Sequence, residues 1–234
     1  TSGASEALRI ALNRAKVERR IASAVEHDAV FFNGEGYFDA ILPVSREGHI
    51  NRGDIYEALG TLGTAAHYWR PPSLTSLQHV NSEPGAVLPV ADVRRIMSNF
   101  AEARLIADCS QGAGKLPLPD GADMVVVSAH KLGGPIGIGA LLVRDYAMLH
   151  PVGGHERGYR RGTENVPAAL GFTAALEAGD WRTSVGQRTA FFAGFGEARM
   201  AFNEQVDHIG ALTHPTLSAQ AQLIRLDAMG FAVS

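Results

Sequence analysis

The sequence predicts an α/β fold, a mostly parallel sheet with helices on both faces. Three observations carry that prediction. Strand-period and helix-period segments alternate along the 234 residues. One strand segment, Asp123-Met124-Val125-Val126-Val127, is a β-branched apolar run that suits a buried strand. Two of the strand segments end in polar, chemically capable residues, at the carboxyl end where open α/β sheets place ligands.

In chain order, the first helix is expected over 5–16, where Ala7, Leu8, Ile10, Ala11 and Leu12 form an amphipathic stretch behind Ser2-Gly3-Ala4-Ser5. Arg20-Ile21-Ala22-Ser23-Ala24-Val25 reads as a strand, and 39–43 as a second. A helix follows over 53–62, a strand over 74–80 and a helix over 90–103. Arg104-Leu105-Ile106-Ala107-Asp108 is a short strand ending in a carboxylate, and strands over 123–128 and 138–143 complete the set. Helices are expected over 164–178, 186–203 and 217–229. Thr163 is the natural N-cap of the first of these, with Glu164 favourable in its opening turn. The composition of Ala178-Gly179-Asp180-Trp181 marks a domain boundary, dividing a large domain over 1–182 from a smaller one over 183–234.

Composition restricts the function classes. Nearly half the residues are apolar and the net charge is −3, which gives no hint of nucleic-acid binding. No apolar run is long enough to cross a membrane. A single cysteine excludes an intramolecular disulfide and fits a reducing cytoplasm. The nine histidines lack ligand spacing, so no metal site is expected.

The chemistry concentrates in two segments. Lys131, one of three lysines in the chain, lies in Ser128-Ala129-His130-Lys131-Leu132-Gly133-Gly134-Pro135 at the exit of the 123–128 strand. A lysine that loses its proton on partial desolvation can form an imine, which arginine cannot; the segment alone fits a solvated loop lysine equally well. Asp108 ends the preceding strand and leads into Cys109-Ser110-Gln111-Gly112-Ala113-Gly114-Lys115. A carboxylate there could keep a pyridinium nitrogen protonated, and Gln111 could reach a phenolic oxygen. An isolated strand-end Asp is as readily a cap or turn former. The helix start at Ser2-Gly3-Ala4-Ser5 offers backbone N–H groups to an anion, or is an ordinary serine cap.

Six blocks taken together resemble the cysteine desulfurases of the class V aminotransferase group. They are Thr1-Ser2-Gly3-Ala4-Ser5-Glu6-Ala7; Val25-Glu26-His27-Asp28-Ala29-Val30; His79-Val80-Asn81-Ser82-Glu83-Pro84-Gly85; residues 108–115; residues 128–135 with Gly137-Ile138-Gly139-Ala140-Leu141; and residues 153–167, which include Arg160-Arg161-Gly162-Thr163-Glu164-Asn165. The resemblance implies a pyridoxal 5'-phosphate-dependent transferase of fold type I, with part of a smaller α+β C-terminal domain. It implies that Lys131 is the Schiff-base lysine, that Asp108 faces the ring nitrogen and that His27 stacks on the ring. Ala4, Ser5, Ser128 and His130 would hold the phosphate; Gln111 and Ser82 would lie near the phenolic oxygen. Thr163 would reach the phosphate of a neighbouring subunit in a homodimer. The implied reaction converts L-cysteine to L-alanine, with sulfur carried as an enzyme persulfide to an acceptor protein for iron–sulfur cluster, thio-cofactor or tRNA biosynthesis.

The departures are informative too. Ser82 stands where the group usually has a second Asn after Asn81. The chain starts at the phosphate-cup turn and ends at Ser234, before the loop in which the group carries its catalytic cysteine and ahead of its substrate-carboxylate arginine. Segments 144–153 and 202–216 are shorter than the resemblance suggests, and His67-Tyr68-Trp69-Arg70-Pro71-Pro72 is the least family-like stretch. Cys109 adjoins Asp108, so strand alternation turns it to the opposite face, as a packing residue. The rival readings are a selenocysteine lyase or transaminase of the same group, and a non-catalytic homologue should the protein end at Ser234.

Overall fold

The computed structural model describes residues 1–33, 38–60, 71–179 and 182–234. Its strands are β1 (Arg19–Ser23), β2 (Ala40–Leu42), β3 (Ser73–Gln78), β4 (Ala103–Asp108), β5 (Met124–Ser128) and β6 (Gly139–Val143). The helices are α1 (Ala4–Arg14), α2 (Asp28–Asn33), α3 (Arg52–Ala58), α4 (Val90–Met97), α5 (Val166–Ala178), α6 (Val185–Ala193) and α7 (Ala219–Ala228). The strands form one sheet in the order β2-β1-β3-β4-β5-β6, parallel from β2 to β5 with β6 antiparallel at the edge.

Period-two alternation decides what each face of the sheet buries. Ile21, Leu77, Leu105, Val125 and Val127 pack with Ile55, Ala58, Val90, Val93 and Met97 of α3 and α4. Ala22, Leu74, Ile106, Met124 and Val126 pack on the other side with Ala7, Leu8, Ile10, Ala11 and Leu12 of α1. The expected cover on both faces is therefore present. Gln78, Asp108 and Ser128 continue the second set of residues, so they emerge on the α1 side at the carboxyl edge of the sheet.

Several element limits differ from the sequence reading. Helix α4 ends at Met97 instead of 103, because the Ser98 hydroxyl donates to Arg95 O (2.7 Å) and the Asn99 amide to Ile96 O (2.9 Å), taking up carbonyls of the last turn. Helix α6 stops at Ala193, ten residues short of 203, where Gly194 and then Gly196, with φ of 50°, follow. Thr163 is not the cap of α5. That cap is Asn165, whose side chain accepts from Ala168 N (3.2 Å), and Pro167 fixes the first turn after it. Glu164 therefore lies outside the helix and pairs with His155 (2.8 Å). The six-residue α2 was not expected. Residues 61–62 of the expected 53–62 helix, residues 67–70 of the 67–72 stretch and residues 180–181 of the 178–181 boundary segment lie outside the described residues.

Gly139 marks where the start of α1 crosses the sheet edge. A Cβ there would lie 2.7 Å from Val127 O and 2.8 Å from the Gly3 Cα, and Gly139 N donates to Thr1 O (2.9 Å). Gly139→Ala is expected to cost about 1–3 kcal/mol by forcing backbone apart. Thermal unfolding with a melting temperature equal to that of the unmodified protein would contradict this.

Of the described residues after 181, Val206 alone is buried. Its amide donates to Gly85 O (2.9 Å), and Gln205 bridges to Ala86, so this segment lies along the loop after β3.

Candidate active site

The order of the sheet determines where a crevice opens. From β1 the chain goes outward to β2 and then returns to the other side of β1 as β3, so the connections leaving β1 and β3 diverge. Such a switch point leaves space beyond the carboxyl ends of the strands. A cavity of about 430 Å³ lies there. His27 after β1, Gln78, Val80 and Ser82 after β3, Asp108, Ser110 and Gln111 after β4, and Ser128, His130 and Lys131 after β5 all line it, together with Ser2, Gly3, Ala4, Ser5 and Glu6 at the start of α1.

Asp108 is buried, and Ser110 donates to its Oδ1 through both the amide (2.9 Å) and the hydroxyl (2.5 Å). Burial pushes this carboxyl above its ordinary range, against the pull of the Ser110 bonds and of the His27 and Lys131 charges. It forms no ion pair among the described residues. The site thus holds a buried acid without a salt-bridge partner among the described residues.

Lys131 sits in the single 3-10 turn Ala129–Leu132 that terminates β5, and Gly133 follows with a left-handed φ of 90°. It is exposed toward the cavity it lines. The Ser128 hydroxyl lies 3.0 Å from His130 Nδ1. His27 Nδ1 accepts from Ala29 N (3.0 Å), so a neutral His27 carries its proton on Nε2.

At the helix start, Glu6 accepts from Ser2 N (2.5 Å) and pairs with Arg160 (3.2 Å). Burial opposes its charge, but the Ser2 amide and the Arg160 guanidinium outweigh it and hold the carboxyl below its usual range. Arg14 donates to Tyr159 O (2.9 Å), so the loop carrying residues 153–163 is tied to α1 at two places. On the far side of the site, Gln111 O accepts from His208 Nε2 (3.2 Å), and Lys115 is pushed down to about 8 by burial and the Lys131 charge.

Nine of the ten residues singled out in the sequence therefore meet around one cavity: Ala4, Ser5, His27, Ser82, Asp108, Gln111, Ser128, His130 and Lys131. Thr163 does not; it is exposed on the loop before α5. Cys109 is fully buried in the opposite-face cluster, and burial together with the Asp108 charge pushes its thiol up to about 12. Glu6, Ser110 and Gln78 also line the cavity and were given no role from sequence. Each stood within or beside a quoted block, but nothing local marks the distant partners of Glu6, which pairs with Arg160, and of Gln78, which bonds Val25 and Glu26.

The family model for aminotransferase class-V proteins matches residues 1–184. The chain belongs to that family. Among curated members, it is 32% identical over 204 residues to cysteine desulfurase IscS 1 of Archaeoglobus fulgidus, an alignment covering 80% of this chain and 51% of the relative. It is 36% identical over 191 residues to a cysteine desulfurase of Nostoc sp., covering 76% of this chain and 45% of the relative. The chain spans about half the length of the curated class-V relatives it matches. Among solved structures, DndA from Streptomyces lividans aligns with a TM-score of 0.76 at 30% identity, over 98% of this chain and 71% of the other. A NifS-like protein from Rickettsia africae aligns with a TM-score of 0.86 at 24% identity, over 100% of this chain and 68% of the other, a likeness of fold.

Proposed function

We propose that this class-V chain forms the cofactor-binding part of a pyridoxal-phosphate-dependent cysteine desulfurase. The observation that carries the reading is the convergence of Lys131 and the buried Asp108 in one cavity beside a helix start. Those three features match a molecule with an aldehyde, a basic ring nitrogen and a phosphate. The curated relatives named as cysteine desulfurases, and a structural neighbour described as SspA in complex with cysteine, 26% identical to this chain, support the choice of L-cysteine as substrate.

Pyridoxal phosphate would supply an electron sink for the substrate's α-carbon. Lys131 Nζ would attach it and, once released by the substrate amine, would carry the α-proton. Asp108 would hold the proton on the ring nitrogen; the bound cation would in turn favour the ionised carboxylate that burial disfavours. His27 would cover the ring face, and Ser82 and Gln111 would bond near its phenolic oxygen. The start of α1 at Ala4 and Ser5 would hold the phosphate, together with Ser128 and His130. Sulfur transfer needs a thiolate other than Cys109, whose thiol stays protonated at neutral pH and faces away from the cavity. Delivery to an acceptor protein in the cytoplasm completes the reading, and the single buried thiol is compatible with that compartment. We place the division between the large domain and the smaller one at 182; the family match ending at 184 supports it.

The reading is tested by supplying the natural protein, loaded with pyridoxal phosphate, with L-cysteine and a thiol reductant. Alanine and sulfide should form in equal amounts. Pyruvate or a keto acid in place of alanine would contradict it.

Thr163 is assigned to the neighbouring site of a homodimer. It is exposed and does not line its own cavity, although its loop is fastened to α1 through Arg160 and Glu6. Thr163→Ala should weaken cofactor retention. Mixing it with Lys131→Ala should restore activity, because one site of each mixed dimer is then intact and the other carries both changes. Confirmed mixed dimers, fully loaded and without restored activity, would refute the assignment.

A further inference from the structure

Glu26 has no part in the chemistry above, yet it is buried at the switch point, one residue before His27. The register explains why it is there. Paired positions of β1 and β3 end at Ala22 with Ser76, whereas β3 continues beside β4 to Gln78 with Asp108. His79 N bonds toward β4, to Asp108 O (2.8 Å), so alternation directs Gln78 N toward β1, beyond that strand's last paired residue. A buried amide in that position needs an acceptor.

Glu26 supplies it. Its Oε1 accepts from Gln78 N (2.7 Å) and from the Ser23 hydroxyl (2.7 Å), and its Oε2 accepts from the Ser76 hydroxyl (3.0 Å). The Gln78 side-chain amide donates in return to Val25 O, and Asn81 Nδ2 reaches the same carbonyl (3.3 Å). The exits of the two strands are thus joined through one carboxylate and one carbonyl.

We propose that Glu26 is a positioning residue of the candidate site: its carboxylate extends the β1 side of the ladder and so sets His27 on one wall of the cavity and the Gln78-to-Ser82 segment on another. The proposal rests on reading this cavity as the ligand site. Burial raises the Glu26 carboxyl to about 7, against the pull of the Ser23 bond and with a further push from Asp108. Asp108 on β4 is the charged group that acts on it across the sheet; β3 contributes hydroxyl and amide donors, and His27 and Asp28 follow it on its own segment. A chain that places a carboxyl there despite this burial needs its reach and the acceptor that it brings to Gln78 N.

Two conservative variants separate reach from charge. Glu26→Gln keeps the length and an acceptor for Gln78 N; Glu26→Asp keeps the charge but is one methylene too short to join both strands. In the ligand-free protein, Glu26→Asp should shift the ¹⁵N resonances of the His27 ring, and Glu26→Gln should leave them near those of the unmodified protein. Pyridoxal phosphate should bind about tenfold more weakly to Glu26→Asp, the equivalent of about one buried hydrogen bond. Its affinity for Glu26→Gln should match that of the unmodified protein. Unchanged His27 resonances in Glu26→Asp, or equal damage from Glu26→Gln, would overturn the proposal. Failure of the unmodified protein to bind pyridoxal phosphate would instead refute the cofactor reading, and the His27 resonances would still decide the role of Glu26.

Discussion

In the natural protein loaded with pyridoxal phosphate, Lys131→Ala is expected to lose the lysine-linked chromophore and to lower turnover by roughly 10³-fold or more, the range for removing a positioned acid–base group. Two features of the structure make this the largest expected effect. Lys131 is in the cavity on a turn held by the end of β5, and the other lysine near it, Lys115, lies beyond Gln111 on a different loop. The fold should survive, because Lys131 is exposed and makes no hydrogen bond or ion pair among the described residues. Borohydride reduction followed by peptide mapping supplies the check. An adduct still trapped in Lys131→Ala, at the same yield, would mean that another amine is the carrier.

Asp108→Asn should lower turnover by about 100-fold or more while leaving covalent attachment at Lys131 intact, because the shape is kept and the charge facing the ring nitrogen is lost. Near-normal turnover would assign that nitrogen another partner. The same substitution should alter stability in the opposite sense at neutral pH. Burial raises Asp108 in the folded protein above its ordinary 3.8, so folding binds a proton as pH rises past that value. The stabilisation is complete below 3.8 and fades as pH passes through the raised folded value. In the ligand-free protein, Asp108→Asn should therefore gain in unfolding free energy relative to the unmodified protein as pH rises above 3.8. A difference that does not change with pH in denaturant titrations would contradict the burial argument.

How far the sequence reached can be judged residue by residue. The run Asp123-Met124-Val125-Val126-Val127 announced β5 because β-branched residues that repeat without polar interruption suit a strand buried on both faces. Alternation alone placed Asp108 and Cys109 on opposite faces, and the structure puts one at the cavity and the other in the core. Helix ends were less legible. Side chains of Ser98, Asn99 and Asn165 chose them through single hydrogen bonds, and such choices compete closely with a further turn of helix.

What the sequence by itself determined was the order of strands and helices, the face each strand residue takes and the residue types gathered at strand exits, since these depend on spacing within a few positions. The adjacency of strands was decided by tertiary structure. Placing β3 next to β1 opened the cavity and left Gln78 N without a strand acceptor, so that Glu26 became buried among Ser23, Ser76 and Gln78, and pairing β5 with β4 brought Lys131 within the field of Asp108. Desolvation and the charges that oppose it act through space, and a residue's distance along the chain carries no record of them.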